Sequence, residues 1–271
     1  MGPPGTYSEE VAKRLFGETA RLLPFGSIDL AIRAVAGGEI PQCVVPIENS
    51  LEGSVNVTLD TLAHEVELYI FREIVMPVWH NLLFREVGRD IRLVLSHPQA
   101  LAQCRRTLSR LYPAAELRPV DSTAEAARRV AEGEAGMAAI GSRSAAVLYG
   151  LELLAADIQD TSSNCTRFVT LQVHPLDPLG PGRWKTSIVC QIDGSRPGSL
   201  YHVLAEFAER EVNLTKIESR PARTGLGAYL FFLDMEGGIG EPKVLEALRA
   251  VERRSLWFKN LGSYLTLDWQ R

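Results

Sequence analysis

Ile91-Arg92-Leu93-Val94-Leu95-Ser96-His97-Pro98-Gln99-Ala100-Leu101-Ala102-Gln103-Cys104 opens as a strand and continues as a helix. Residues 91 to 95 form an apolar run short enough for a buried strand. Ser96-His97 ends it, and Pro98 stands where a first helical turn tolerates a residue without an amide proton. Leu101, Cys104, Leu108 and Leu111 then recur at spacings of three and four, which predicts one buried face of a continuous helix.

The same alternation extends both ways. Upstream, Thr6-Tyr7-Ser8-Glu9 reads as a capping box, with Gly17 at the far end of its helix. Ser27 is a candidate cap for the next helix, Gly37-Gly38 stop it, and Cys43 to Ile47 is a strand. Downstream, Ser122-Thr123-Ala124-Glu125 is a second box. Met137 to Ile140 is a strand, and Gly141-Ser142 leads into a helix ending near Gly150. Strands alternating with helices imply an α/β fold with mostly parallel sheets. Ligands of such sheets bind beyond the carboxyl ends of the strands. Small polar residues cluster at three such ends: Glu48-Asn49-Ser50, Ser96-His97 and Gly141-Ser142. Helix starts there favour anions, so the expected site is a cleft for a small acidic molecule.

His174-Pro175-Leu176-Asp177-Pro178-Leu179-Gly180-Pro181-Gly182 breaks both periods and reads as a linker. Beyond it the order changes. Strands over 186–192, 213–218, 228–235 and 258–265 and helices over 199–211 and 242–254 make a ferredoxin-like βαββαβ unit.

Composition narrows the function. The 271 residues are 46% hydrophobic and 23% charged, as in soluble globular proteins, and carry a net charge of −4. That charge disfavours a nucleic-acid surface; the pairs Arg105-Arg106 and Arg128-Arg129 read as solvated helix faces. No run approaches a membrane span and no signal peptide is visible. Cys43, Cys104, Cys165 and Cys190 form no C-x-x-C pair, so neither a zinc nor a redox motif is expected, and scattered thiols suit a reducing cytoplasm. The N-x-T triplets at Asn56, Asn164 and Asn213 are then chance matches. Phosphate-loop, zinc-protease and nucleophile-elbow motifs are absent, and Gly225-Leu226-Gly227 lacks a third glycine. The histidines at 64, 80, 97, 174 and 202 have no metal-ligand spacing, so no metal is expected.

The remaining blocks resemble one family. Gly2-Pro3-Pro4-Gly5-Thr6-Tyr7-Ser8-Glu9, Pro46-Ile47-Glu48-Asn49-Ser50-Leu51-Glu52-Gly53 with Thr58-Leu59-Asp60, and Ser96 to Cys104 are similar to blocks of prephenate dehydratases. So are Tyr149-Gly150-Leu151, Ile158-Gln159-Asp160 and Asn164-Cys165-Thr166-Arg167-Phe168. Past the linker, Arg196-Pro197-Gly198-Ser199-Leu200 and Glu218-Ser219-Arg220-Pro221 resemble the phenylalanine-binding segments of the family's ACT domain, with Ser199 where alanine is usual. The chain opens at the first loop, whereas family members usually have a short strand before it.

The resemblance implies a two-lobed catalytic domain like periplasmic binding proteins over 1–174, its second lobe about 77–157. A linker over 175–185 and an ACT domain over 186–268 follow. It implies cofactor-free conversion of prephenate to phenylpyruvate, regulated by phenylalanine. Thr166 is the expected donor to the departing hydroxyl, with Arg167, Asn49, Ser96 and Gln103 completing the catalytic set. Thr6, Ser50, His97 and Phe168 are expected at the substrate. Arg167 has a structural ion pair as its alternative role, Gln103 an exposed helix position, His97 a helix start, and Phe168 wall packing. Gly198, Ser199, Leu200, Asn213, Leu214 and Ser219 are expected to bind phenylalanine, or else to form a sheet-edge contact between copies. A cytoplasmic homodimer or homotetramer follows. Arogenate dehydration fits the same blocks, and a cytosolic binding protein without catalysis is the rival of another class.

Overall fold

The computed structural model describes residues 4–17, 19–85, 90–161, 163–177, 180–225 and 227–269. Gly2-Pro3 of the opening block, Pro178-Leu179 of the linker and Leu226 lie outside them. In chain order the first elements are α1 (Tyr7–Phe16), α2 (Ile28–Ala36), β1 (Cys43–Asn49), β2 (Gly53–Ser54), α3 (Asn56–His64), β3 (Tyr69–Pro77) and β4 (Asn81–Phe84). Next come β5 (Leu93–Ser96), α4 (Pro98–Gln103), α5 (Arg105–Leu111), β6 (Glu116–Pro119), α6 (Thr123–Glu132), β7 (Met137–Gly141), α7 (Arg143–Tyr149) and β8 (Glu152–Ala155). The last are β9 (Cys165–Gln172), β10 (Trp184–Gln191), α8 (Ser199–Ala208), β11 (Leu214–Pro221), β12 (Tyr229–Glu236), α9 (Pro242–Arg254) and β13 (Trp257–Asp268). The chain forms two compact units: residues 1–28, 49–52 and 76–166, and residues 29–48, 53–75 and 167–271.

The first unit is built on a five-stranded sheet in the order β6-β5-β7-β4-β8. β6, β5 and β7 are parallel, and β4 runs against both β7 and β8. Four strands therefore share one direction and β4 alone is reversed. Side chains alternate between the faces. Leu82, Phe84, Val94, Ala138 and Ile140 pack with Leu101 of α4, Leu108 of α5 and Cys104 between them. Leu83, Leu95 and Ala139 pack with Ala126, Ala127 and Val130 of α6 and Ala145 and Ala146 of α7. Both faces are covered, as the alternating pattern demands.

Three local expectations need correction. The helix after Ser96 is not continuous: Cys104, at φ −111° and ψ 7°, separates α4 from α5. The cause is remote in sequence. The Asp160 carboxylate accepts hydrogen bonds from the amides of Arg106 and Thr107, both at 2.9 Å, and so caps a second helix start. Leu111 falls off the buried face and is 43% exposed. The Thr6–Glu9 capping box is also incomplete. Glu9 accepts from the amide of Gly5, but the Thr6 side chain makes no cap bond. The Ser122 box is half formed: its hydroxyl accepts from the Glu125 amide at 3.0 Å, while the Glu125 carboxylate turns to Arg128 and Arg129.

The second unit holds an eight-stranded sheet, β11-β12-β10-β13-β3-β9-β1-β2. Its last four strands in sequence, with α8 and α9, form the expected βαββαβ unit, ordered β11-β12-β10-β13 with antiparallel pairing throughout. Ile188, Cys190, Leu233 and Met235 bury one sheet face under Val203 and Phe207 of α8 and Val244, Leu248 and Val251 of α9. β13 continues past this unit to pair in parallel with β3, Leu265 opposite Arg72 through Asp268 opposite Val75. That pairing joins the C-terminal region to the earlier strands in one sheet. Among the described residues no helix is long and apolar enough to cross a membrane, and no group of three or more His, Cys, Asp or Glu could hold a metal ion.

Candidate active site

In the first unit, the carboxyl ends of β5 and β7 and the reversed start of β4 lie along one sheet edge, since Asn81 pairs with Gly141. Ser96 ends β5, fully buried, and its hydroxyl donates to the carbonyl of Ile140 at 2.8 Å. Ser142 follows β7. Its hydroxyl accepts from the Ala145 amide, capping α7, and donates to the carbonyl of Gly5 at 3.1 Å. Ser144 donates to Glu10, and Tyr7 donates to the carbonyl of Trp79 at 2.6 Å. These bonds hold the opening loop against the edge. Thr6 lies in that loop, with its hydroxyl oxygen buried and without a partner among the described residues.

A chain of side-chain amides crosses the site, and its direction is fixed at one end. The Asn49 carbonyl oxygen accepts from the amides of Leu51 (3.0 Å) and Glu52 (3.2 Å). Asn49 Nδ2 must therefore donate, and it reaches Asn164 Oδ1 and Thr166 Oγ1, each at 2.9 Å. Asn164 Nδ2 then donates to Gln103 Oε1 at 2.8 Å. His80 Nε2 lies 2.7 Å from the same oxygen, so it carries the proton. Burial is the main force holding the His80 pKa below its ordinary value, so the ring is neutral near pH 7. Two buried atoms along this chain have no partner among the described residues: His80 Nδ1 and Gln103 Nε2. Buried polar atoms are normally paired, and an orphan cluster points to a ligand that completes it. Thr166 accepts from Asn49, which leaves its own hydroxyl proton free to donate.

The other expected residues fall as follows. Ser50 is exposed, donates to the Ser163 carbonyl at 2.7 Å and accepts from the Cys165 amide at 2.9 Å, tying the 49–52 turn beside Asn164. His97 caps α4, its Nδ1 accepting from the Gln99 amide at 3.4 Å. Asn164, His80 and Gln159 had no assigned role in the sequence. Asn164 and Gln159 lie inside quoted blocks, but His80 stands in no pattern that sequence reasoning could use. Gln159 accepts from the backbone amide of His80 at 3.0 Å.

The second unit holds Arg167 and Phe168. Phe168 is buried at 3% exposure. Arg167 pairs with Glu73 through Nε, lies 2.6 Å from Asp234 and 3.2 Å from Glu48 through Nη1, and donates to Tyr264 through Nη2 at 3.0 Å. Lys185 reaches Glu73 at 2.7 Å, and Lys216 reaches Glu48 at 3.2 Å. Three cations thus balance three carboxylates. Burial opposes the charge on Arg167, but Asp234, Tyr264 and Glu73 raise its pKa well above the ordinary value. These contacts of the guanidinium are all to groups within the protein, which supports the ion-pair alternative.

The phenylalanine-site candidates divide between two ends of the C-terminal sheet. Gly198, at φ 83°, begins α8 just past the end of β10, with Ser199 donating to the Arg196 carbonyl at 3.0 Å and Leu200 packed on the core. Ser219 sits at that end too, since it pairs with Phe231 and Phe231 with Cys190. Asn213 and Leu214 lie at the other end, where Leu214 pairs with Met235 and Met235 with Thr186. Four strand steps, about 13 Å, separate the two levels.

A family model described as prephenate dehydratase matches residues 1–175, and one described as ACT domain matches residues 186–253. The chain is 43% identical over 278 residues to a prephenate dehydratase of Mycobacterium tuberculosis, covering 98% of this chain and 86% of that protein. Among solved structures, prephenate dehydratase from Arthrobacter aurescens in complex with L-Phe superposes with a TM-score of 0.90 at 36% identity, covering 98% of this chain and 88% of that one. A second, GqqA, described as a novel type of quorum-quenching acylase, superposes at 0.86 with 31% identity, covering 98% of this chain and 96% of that one.

Arg167→Met leaves Glu73 and Asp234 buried with too little positive charge. We expect a loss of about 3–5 kcal/mol in urea unfolding. A loss below about 1 kcal/mol would mean that water reaches these carboxylates.

Proposed function

The chain belongs to the prephenate dehydratase family, and from that membership we propose that it converts prephenate to phenylpyruvate. The ring carboxylate leaves as carbon dioxide, its bonding electrons make the ring aromatic, and the ring hydroxyl departs as water with one added proton. The observation that carries this reading is the bond from Asn49 Nδ2 into Thr166 Oγ1. It engages a lone pair of that oxygen and leaves the Thr166 proton to be given to the departing hydroxyl. A preorganised donor at the developing charge is the kind of group that accelerates such a step. The same chain supports Asn49 and Gln103 as members of the set, with Gln103 Nε2 as a further donor. Ser96, Thr6 and His97 border the ends of β5 and β7, and Ser50 ties the 49–52 turn to Ser163 and Cys165. Phe168 and Arg167 support the strand carrying Thr166.

An acylase working through a covalent intermediate needs a nucleophile beside a base that takes its proton. Thr166 has the opposite neighbour, an amide donor, and among the described residues no imidazole or carboxylate is bonded to it. That favours dehydration over acyl transfer. Residues 1–174 would carry the reaction, 175–185 the linker and 186–268 the regulation. The scattered free thiols support a cytoplasmic setting.

Phenylalanine is the proposed effector, bound at Gly198, Ser199, Leu200, Asn213, Leu214 and Ser219. L-Phe is bound in the relative from Arthrobacter aurescens. In one chain these residues lie at two ends of the sheet, and β11 is an edge strand. Antiparallel pairing of two β11 edges brings the Asn213–Leu214 end of one copy to the Gly198 loop of the other. A homodimer, or a homotetramer made from it, completes the site. Effector and substrate then oppose each other reciprocally.

Thr166→Ala should lower turnover of prephenate by about 100- to 1000-fold with the fold intact. Absorbance of phenylpyruvate reads the rate, with arogenate assayed in parallel. Near-normal turnover by the variant rejects the assignment, and turnover of arogenate alone keeps the mechanism but changes the substrate. In calorimetric titration, phenylalanine should bind the assembled protein and suppress turnover. Absence of binding refutes the regulatory part.

A further inference from the structure

We propose that His80 is a positioning residue of the active site, holding the Gln103 carboxamide so that its Nε2 donor stays free for the substrate. This rests on the dehydratase reading and extends it to a residue outside every block of resemblance. His80 is 3% exposed and stands immediately before β4. Its Nε2 and Asn164 Nδ2 converge on Gln103 Oε1, at 2.7 and 2.8 Å. With two donors on the oxygen, the amide cannot rotate by half a turn without setting donor against donor.

The imidazole is itself held from several sides. The His80 amide donates to Gln159 Oε1 at 3.0 Å, and its carbonyl accepts from the Ile158 amide at 2.8 Å. The Tyr7 ring stands edge-on to it, with centroids 6.4 Å apart and planes at 73°. Gln103 is further anchored by its carbonyl, which accepts from the Asp160 amide at 2.7 Å. The segment 158–160 thus fixes both partners. The free Gln103 Nε2 and the bare His80 Nδ1 are buried atoms with no partner among the described residues. A buried histidine that served only to fill space would not be expected to spend its one proton on a side chain whose other end is unsatisfied.

The test is steady-state kinetics on prephenate with the full chain and the variants His80→Leu, His80→Gln, His80→Asn, Gln103→Leu and the double variant His80→Leu/Gln103→Leu. Loss of one such hydrogen bond should lower kcat/KM by about tenfold in His80→Leu. His80→Gln, whose amide reaches the place of the ring Nε2, should recover most of that loss, and His80→Asn, one methylene shorter, should not. Because His80 acts through Gln103, the double variant should be no slower than Gln103→Leu alone. Losses that multiply, or equal rates for the Gln and Asn variants, overturn the proposal, and the latter comparison stands even if His80→Leu fails to fold. No turnover of either prephenate or arogenate by the wild-type chain overturns the dehydratase reading and this inference with it, whereas wild-type turnover matched by His80→Leu overturns this inference alone.

Discussion

Two backbone amides, those of Leu51 and Glu52, point at one side-chain oxygen, and the chemistry of the site depends on that contact. A carboxamide is nearly symmetric in shape but not in hydrogen bonding. Once its oxygen is committed to two backbone donors, Asn49 must present its nitrogen to Asn164 and Thr166. Each following amide is then oriented in turn, as far as His80. Backbone geometry in a tight turn is thereby converted into the tautomer of a buried imidazole and the free proton of a threonine hydroxyl. Such a chain is rigid because every reversal sets donor against donor in a place that water does not readily repair.

The second unit solves a different problem one residue away. Arg167 follows Thr166 directly, yet its guanidinium is taken up by carboxylates from β1, β3 and β12 and by a hydroxyl from β13. Removing any one partner leaves charge buried. Within the second unit, β9 is therefore anchored through Arg167 to two strands of the βαββαβ unit. Ser187 extends the network, donating to Asp234 at 2.5 Å and lying 2.7 Å from the Tyr264 hydroxyl.

The fold was legible because its causes are local. Strand runs, Pro98 at a first helical turn and Gly150 in a left-handed cap, at φ 62°, are set by residues next to one another. α9 begins and ends where Pro242 and Arg254 suggest. What was not legible comes from contacts far apart in the chain. The break at Cys104 is imposed by Asp160, while the apolar spacing runs on through it. Asn49, Gln103 and Thr166 stand in blocks of resemblance, but the order in which they bond does not. His80 looked like one of five unpatterned histidines, and only its approach to Gln103 gives it a place. Asn164 looked like a chance N-x-T triplet; at 2% exposure it is a buried link. The Arg167 fork suggested a carboxylate ligand and found its carboxylates within the protein.

The direction of the amide chain can be read at its far end. Nitrogen-15 NMR of the histidine rings at neutral pH, with His80 assigned by its absence in His80→Gln, reports which ring nitrogen carries the proton. A neutral ring protonated at Nε2 and bare at Nδ1 is the predicted result. A ring protonated at Nδ1 alone would mean that Gln103 presents its nitrogen to His80. The chain would then run the other way, and the argument that frees the Thr166 proton would fail.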